Sequence, residues 1–295
     1  MKCVIPKYSG FCFGVSLAVN AAYENTDGIA YMYGEIVHNP VVVNDLQAKG
    51  VRLVHSIHEI PSNEKARVLV RAHGVPESTI SEISQRGLEV IDKTCPRVKK
   101  VHNIVLEASN KGLDIIVVGT QDHPEIAGII GWAKTKTVLL HCLEQAKEII
   151  PHTFFSKKGV CMVSQTTHNK KKYIEIYEYC SSIIPNIEFH NTICDATSKR
   201  QNEVRELAKI SDAFIVVGGK TSSNVTKLYE IALEYCANTQ YIESAGELDL
   251  AKLTDINTLI IVGGASTPNS SVEEVIDIIR SFCNGEQIPF EIEKC

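Results

Sequence analysis

Three cysteines recur at nearly one distance from a glycine that closes a β-rich run, and this repeat constrains the fold more than any other feature. Cys12 stands 22 residues before Gly34, Cys95 stands 24 before Gly119, and Cys194 stands 24 before Gly218. The runs that end in those glycines are AYMYG (30–34), IIVVG (115–119) and FIVVG (214–218). Short β-branched or aromatic runs punctuated by glycine read as strands followed by tight loops. A chain that repeats one supersecondary unit buries its apolar faces by packing copies together.

Each cysteine is followed by a stretch with helical spacing of apolar residues, namely FGVSLAVNAAYEN, PRVKKVHNIVLEASNKG and DATSKRQNEVRELAKIS. Pro96 suits a first helical position, which makes Cys95 the expected cap residue. After the first loop each copy carries a second helix and a weaker strand, in 38–54, 123–140 and 223–242. A further strand and loop close it, as in VLVRAHGVPES, VCMVSQTTHNK and LIIVGGASTPN. The order cysteine, helix, strand, loop, helix, strand, strand, loop, helix predicts an α/β fold with mostly parallel sheets covered on both faces. The expected domains are 1–94, 95–193 and 194–281, with a C-terminal tail at 282–295 that could cross back over the first unit.

Composition narrows the function classes. A hydrophobic content of 44% supports a sizeable core, and the formal charge of -5 comes from interspersed acidic and basic residues. No basic run points to nucleic acid. No segment has the length of apolar residues that a membrane span requires, and MKCVIPKYSGFCFGV is too interrupted to be a signal peptide. A large core without a secretion signal places the ten cysteines in a reducing cytoplasm, as thiols rather than disulfides.

Stacked α/β units would account for the strands and helices, but not for a cysteine at the start of every copy. If the units share a pseudo-threefold axis, Cys12, Cys95 and Cys194 face one point. Helix N-termini favour their thiolates, and a cation must then neutralise them. Zinc with a fourth ligand and an iron–sulfur cluster both suit three thiolates. Wide separation disfavours structural zinc, whose ligands usually come in close pairs. Cys142, Cys161, Cys180, Cys236 and Cys283 sit in apolar patterns and read as buried packing residues, whereas Cys3 and Cys295 carry no signal.

Ligands of α/β sheets bind beyond the carboxyl ends of the strands. The loops expected there are rich in hydrogen-bond donors: His38 and Asn39; His73 and Gly74; His123; Gln165, Thr166 and Thr167; Ser222, Ser223 and Asn224; Ser266 and Thr267. Singly, such residues are helix caps or bystanders; together they suit phosphate oxygens. Glu125, the one carboxylate among them, is either a general acid turned inward or a first-turn acidic residue turned outward.

These residues resemble one family along almost the whole chain. GFCFGV (10–15), HNPVVV (38–43), RAHGV (71–75), DKTCPRV (92–98) and HPE (123–125) appear in the family's order. SQTT (164–167), CDATSKRQ (194–201), SSN (222–224) and GASTP (264–268) continue it, with no departure at a motif residue. The chain is similar to the LytB-type 4-hydroxy-3-methylbut-2-enyl diphosphate reductases, which close the non-mevalonate isoprenoid pathway. That resemblance implies three similar α/β domains in a pseudo-threefold trefoil around a central [4Fe-4S] cluster held by Cys12, Cys95 and Cys194, one iron remaining open. It implies that His38, His73, His123, Thr166, Ser222, Ser223, Asn224 and Ser266 hold the substrate diphosphate or order the pocket. Glu125, with His123 and Thr166, would carry protons to the substrate hydroxyl.

The implied reaction takes up two electrons and two protons, releases water, and gives isopentenyl and dimethylallyl diphosphate. An external donor such as ferredoxin or flavodoxin must supply the electrons, because no second cluster motif and no flavin fingerprint is present. A zinc hydrolase acting on a phosphorylated substrate and a non-catalytic repeat scaffold are the alternative readings.

Overall fold

The computed structural model describes residues 1–294 as thirteen strands and ten α-helices. In chain order the first part holds β1 (Lys2–Ile5), α1 (Phe13–Glu24), β2 (Ala30–Tyr33), α2 (Pro40–Ala48), β3 (Arg52–Val54), β4 (Arg67–Val70), α3 (Glu77–Gln85) and β5 (Glu89–Asp92). The middle part holds α4 (Pro96–Asn110), β6 (Asp114–Val118), α5 (Pro124–Ile130), β7 (Thr137–Leu140), α6 (Leu143–Ile149), β8 (Val160–Ser164), α7 (Lys170–Ile183) and β9 (Ile187–Phe189). The last part holds α8 (Asp195–Ala208), β10 (Ala213–Val217), α9 (Ser223–Tyr235), β11 (Thr239–Ile242), β12 (Thr258–Gly263), α10 (Asn269–Gly285) and β13 (Glu291–Lys294).

The strands form three sheets of one topology, ordered β3-β2-β4-β5, β7-β6-β8-β9 and β11-β10-β12-β1-β13, with every pairing parallel. Three similar α/β units are therefore present, as the repeat predicts. Period-2 alternation explains why both faces must be covered. In β6, Ile115 and Val117 enter one apolar cluster while Ile116 and Val118 enter another. In β10, Ala213, Ile215 and Val217 face the cluster beside α10, whereas Phe214 and Val216 face α8 and α9. Each face removes several aliphatic side chains from water, roughly 1.5–3 kcal/mol apiece before conformational entropy is counted.

One class of strand was not expected: the fourth of each sheet, directly before each cysteine. β5 reads EVID and β9 reads IEF, short edge segments with acidic residues and incomplete burial, so neither carries a strong strand pattern. The third sheet takes its equivalent from the chain's N-terminus. β1, expected in the first domain, pairs with β12, and β13, expected in a tail, pairs with β1 in the same sheet. α10 likewise runs through the expected boundary at 281/282.

The described residues divide into two compact units, one of residues 1–16, 37–45 and 195 onward, the other of residues 17–36 and 46–194. The first contains the five-stranded sheet and the second contains the two four-stranded sheets. No helix of the described residues is long and apolar enough to cross a membrane.

Candidate active site

Each of the three cysteines immediately precedes a helix, α1, α4 or α8. Cys95 is the cap of α4, with Pro96 at its first position, as the sequence predicts. The backbone adds a second regularity. Cys12 N–H donates to Ala265 O (3.2 Å), Cys95 N–H to Ala72 O (3.0 Å) and Cys194 N–H to Thr166 O (2.9 Å). Those acceptors are the second residues beyond β12, β4 and β8, the corresponding strands of the three sheets. Every cysteine thus hangs from the same point of its own sheet, at the carboxyl end where α/β folds bind ligands.

Burial separates the trio from most of the other thiols. Cys12, Cys95 and Cys194 are half-buried, while Cys3, Cys161, Cys180, Cys236 and Cys283 are buried. Burial pushes the thiols of Cys3 and Cys161 up to about 12 and that of Cys180 up to about 11, so these three stay protonated packing groups. Cys142, expected to be buried, is half-buried at the start of α6. Cys295 lies outside the described residues.

Within the larger unit a continuous set of contacts runs from Cys95 to Cys194. Ala72, which accepts from Cys95, precedes His73, whose ring meets His123 edge-on at 5.3 Å. Nδ1 of His123 accepts from Glu125 N–H (3.1 Å) at the start of α5, so the neutral ring carries its proton on Nε2. Glu125 is 2% exposed, and its carboxylate accepts from Thr166 N–H (2.6 Å) and Thr166 Oγ1 (3.1 Å). Thr166 O in turn accepts from Cys194. The sequence left open which way Glu125 points; it points inward. Burial pushes its carboxyl up to about 7 against the two Thr166 hydrogen bonds, which suits an acid that must hold and release a proton near neutrality.

The other unit gathers the remaining polar residues. Ala265, the acceptor for Cys12, precedes Ser266, whose hydroxyl donates to Ser222 Oγ (2.9 Å). Ser222 caps α9 without a side-chain bond to the helix, and a helix N-terminus of this kind suits an anion. Asn224 Nδ2 is buried and has no hydrogen-bond partner, an arrangement that a ligand oxygen would satisfy. Ser223 is half-buried in the first turn of the same helix. His38 lies against Gly219, where any Cβ would stand 2.6 Å from its carbonyl oxygen.

Three of the polar loop residues hold the loops themselves. Asn39 Oδ1 caps α2 by accepting from Val41 N–H (3.0 Å), and Thr267 Oγ1 donates to Val217 O (2.8 Å). Gln165 Oε1 accepts from Thr120 N–H (3.0 Å). Sequence reasoning also missed the supports of Cys95 and of the His73 loop. Asp92 Oδ1 accepts from Thr94 N–H (2.9 Å) and Oδ2 from Lys99 Nζ (2.7 Å). Burial alone would raise the Asp92 carboxyl, but the bonds from Lys99 and Thr94 outweigh it and hold the group below the usual range.

His102 sits behind the His73 loop, stacked on Trp132 at 5.4 Å, and its Nε2 is buried without a partner. Gly74 has φ +72°, and a Cβ there would lie 2.5 Å from His102 Cε1 and 3.0 Å from Thr94 Cγ2. Gly74→Ala is therefore expected to cost about 1–3 kcal/mol through left-handed strain and overpacking, read as a lower urea midpoint. An unchanged midpoint would show that the loop relaxes freely.

Burial holds His102 down to about 4, with Lys99 adding to the effect and Asp92 opposing it. The unfolded chain, at about 6.5, takes the proton first as pH falls. The stability is thus complete above 6.5 and is lost progressively between 6.5 and 4. Between pH 7 and pH 5 the wild type should lose about 2 kcal/mol more than His102→Leu in urea unfolding. Equal losses would contradict this account.

Comparison with known proteins agrees with the geometry. The family described as LytB protein matches residues 3–280. A 4-hydroxy-3-methylbut-2-enyl diphosphate reductase of Caldanaerobacter subterraneus subsp. tengcongensis is 41% identical over 286 residues, covering 96% of this chain and 98% of that protein. The reductase of the same description from Clostridioides difficile is 40% identical over 285 residues, covering 96% and 100%. Among solved structures, the E-1-hydroxy-2-methyl-but-2-enyl-4-diphosphate reductase of Plasmodium falciparum superimposes with a TM-score of 0.88 at 25% identity, covering 99% of this chain and 92% of that one. A second, an (E)-4-hydroxy-3-methyl-but-2-enyl diphosphate reductase described as the terminal enzyme of the non-mevalonate pathway, gives 0.69 at 35% identity over 95% and 99%. With its family profile matched almost end to end, the chain belongs to the LytB family.

Proposed function

We infer that the protein is a 4-hydroxy-3-methylbut-2-enyl diphosphate reductase, converting that allylic diphosphate to isopentenyl and dimethylallyl diphosphate. The observation that carries this reading is the suspension of Cys12, Cys95 and Cys194 each from the same point of its own sheet, together with the Glu125–Thr166 pair buried in the unit that holds Cys95 and Cys194.

Three half-buried thiols at helix starts have the donor chemistry of iron–sulfur ligation, and the repeat assigns one to each sheet. In this reading Cys12, Cys95 and Cys194 hold one [4Fe-4S] cluster per chain. Bound there, the cluster supplies electrons to the substrate and an iron that no cysteine occupies. The electrons originate in an external ferredoxin or flavodoxin, and the setting is the cytoplasm.

The chain's own residues bind the anion and manage protons. Ser222, Ser223, Asn224 and Ser266 offer hydroxyl, amide and helix N–H donors to the diphosphate, and the histidines His38, His73 and His123 add ring N–H donors. A diphosphate oxygen would satisfy Asn224 Nδ2, otherwise a buried amide left without a partner. Glu125 holds a proton at neutral pH, and Thr166 fixes its carboxyl by two hydrogen bonds. The balance is two electrons and two protons per turnover: the C–O bond at C4 breaks, the oxygen leaves as water with one proton, and the second proton goes to carbon.

The experiment is anaerobic incubation of the full chain with substrate and a reduced low-potential dye. Consumption of two electrons per substrate with both five-carbon products supports the reading. Phosphate release without electron consumption would favour the zinc hydrolase instead.

A further inference from the structure

The backbone that leads into each cysteine differs in length. Two residues separate β5 from Cys95 and four separate β9 from Cys194, but six, Pro6 to Phe11, separate β1 from Cys12. A longer leader has more conformations to lose, so Cys12 needs the most support to hold a fixed position. The support comes from α8. Arg200, 5% exposed on that helix, donates through Nε to Tyr8 O and through an Nη to Gly10 O (2.7 Å). One turn later the Glu203 carboxylate accepts from Lys7 N–H (2.9 Å) and Tyr8 N–H (2.9 Å).

The end of β12 takes the remaining groups. Gly10 N–H donates to Gly263 O (3.1 Å), Gly263 N–H donates to Ser9 Oγ (2.8 Å), and Cys12 N–H reaches Ala265 O. Gly10 has φ +81°, and a Cβ there would lie 2.1 Å from Asn269 Oδ1, so the loop sits close against the start of α10. Two ionised side chains therefore fix four backbone groups of this leader, by hydrogen bonds of the stronger, charge-assisted kind. A guanidinium fork can span two carbonyls in fixed geometry; an ammonium cannot.

We propose that Arg200 and Glu203 are positioning residues for metal ligation: α8, the helix that begins directly after Cys194, holds the Cys12 leader so that the Cys12 sulfur is presented in one orientation. The pair touches neither substrate nor metal and acts through the backbone of residues 7–10. This inference rests on Cys12 being a ligand.

The test uses anaerobically purified holoenzyme and two readouts besides turnover: the rate of iron release to a chelator, and amide hydrogen exchange over residues 7–12. Arg200→Met and Glu203→Ala are expected to speed iron release about 10- to 100-fold, the range usual when an outer partner of a ligand is lost, and to accelerate exchange in the leader. Arg200→Lys keeps the charge without the fork; it should fold even where Arg200→Met does not, and should still release iron faster than the wild type.

Val204→Ala is the control, since Val204 is buried on the same helix and packs into the apolar cluster against β10. It should lower thermal stability while iron release and leader exchange stay at wild-type rates. Wild-type iron release in Arg200→Lys and Glu203→Ala, or equal acceleration by Val204→Ala, overturns the proposal. Failure of the underlying reading is distinguishable, because Cys12→Ser would then keep its full iron content.

Discussion

Serine at position 12, 95 or 194 is expected to remove bound iron and to lower turnover by more than the about 10- to 100-fold that loss of an outer ligand partner brings. The three positions should behave alike, because each hangs from the equivalent carbonyl of its own sheet. Cys161→Ser supplies the contrast. Its thiol is buried in the apolar cluster under α4 and α5 and held protonated, so a hydroxyl there costs about 1–3 kcal/mol of stability and leaves iron in place. Iron per chain in the four variants checks the set. Full iron in any one of the trio would remove that cysteine from the metal site.

Glu125→Gln should keep the iron and the affinity for the diphosphate while turnover falls by about 10²–10⁴, the usual worth of a positioned acid. Its carboxyl, raised to about 7, is protonated in much of the folded population at neutral pH. Wild-type turnover should therefore decline above about pH 7 as that proton is lost. The same shift has a stability counterpart of opposite sign to that of His102. The folded chain holds the Glu125 proton up to about 7 while the unfolded chain releases it near 4.5, so stability falls as pH rises through that window. The loss approaches about 3 kcal/mol above pH 7 and is absent in Glu125→Gln. The pH dependence of turnover measured for both proteins checks the assignment; wild-type turnover in the variant would take Glu125 out of the proton path.

Much of this was legible from residue types because chain order and side-chain period carry it. The unbroken apolar runs IIVV and FIVV mark strands covered on both faces, and Pro96 marks the start of α4 with Cys95 as its cap. The donor-rich loops were found for the same reason: glycine, serine and histidine beyond a β run are a local pattern. Long-range pairing was not legible. EVID and IEF are too short and too polar to stand out, and nothing local announces that KCVI joins the sheet of LIIVG across the length of the chain.

The supports of the site were missed for a related reason. Arg200 lies inside a motif that was recognised, but its partners are carbonyls of residues 8 and 10. One signal was available. The buried positions of α8, Thr197, Arg200, Gln201, Val204 and Ala208, follow helical spacing, so the periodicity itself sets an arginine on the inward face. A charge in that position requires partners. The inward turn of Glu125 had no such signal, since an acidic residue in the first turn of a helix is also what the helix dipole favours.

The central claim is that three thiolates from three like sheets hold one iron–sulfur cluster. Iron and acid-labile sulfide counted on the full chain purified without oxygen, with the visible spectrum of the same sample, test it most directly. The account predicts a brown protein with about four irons and four sulfides per chain, as a four-iron cluster requires. Stoichiometric zinc without sulfide would contradict it.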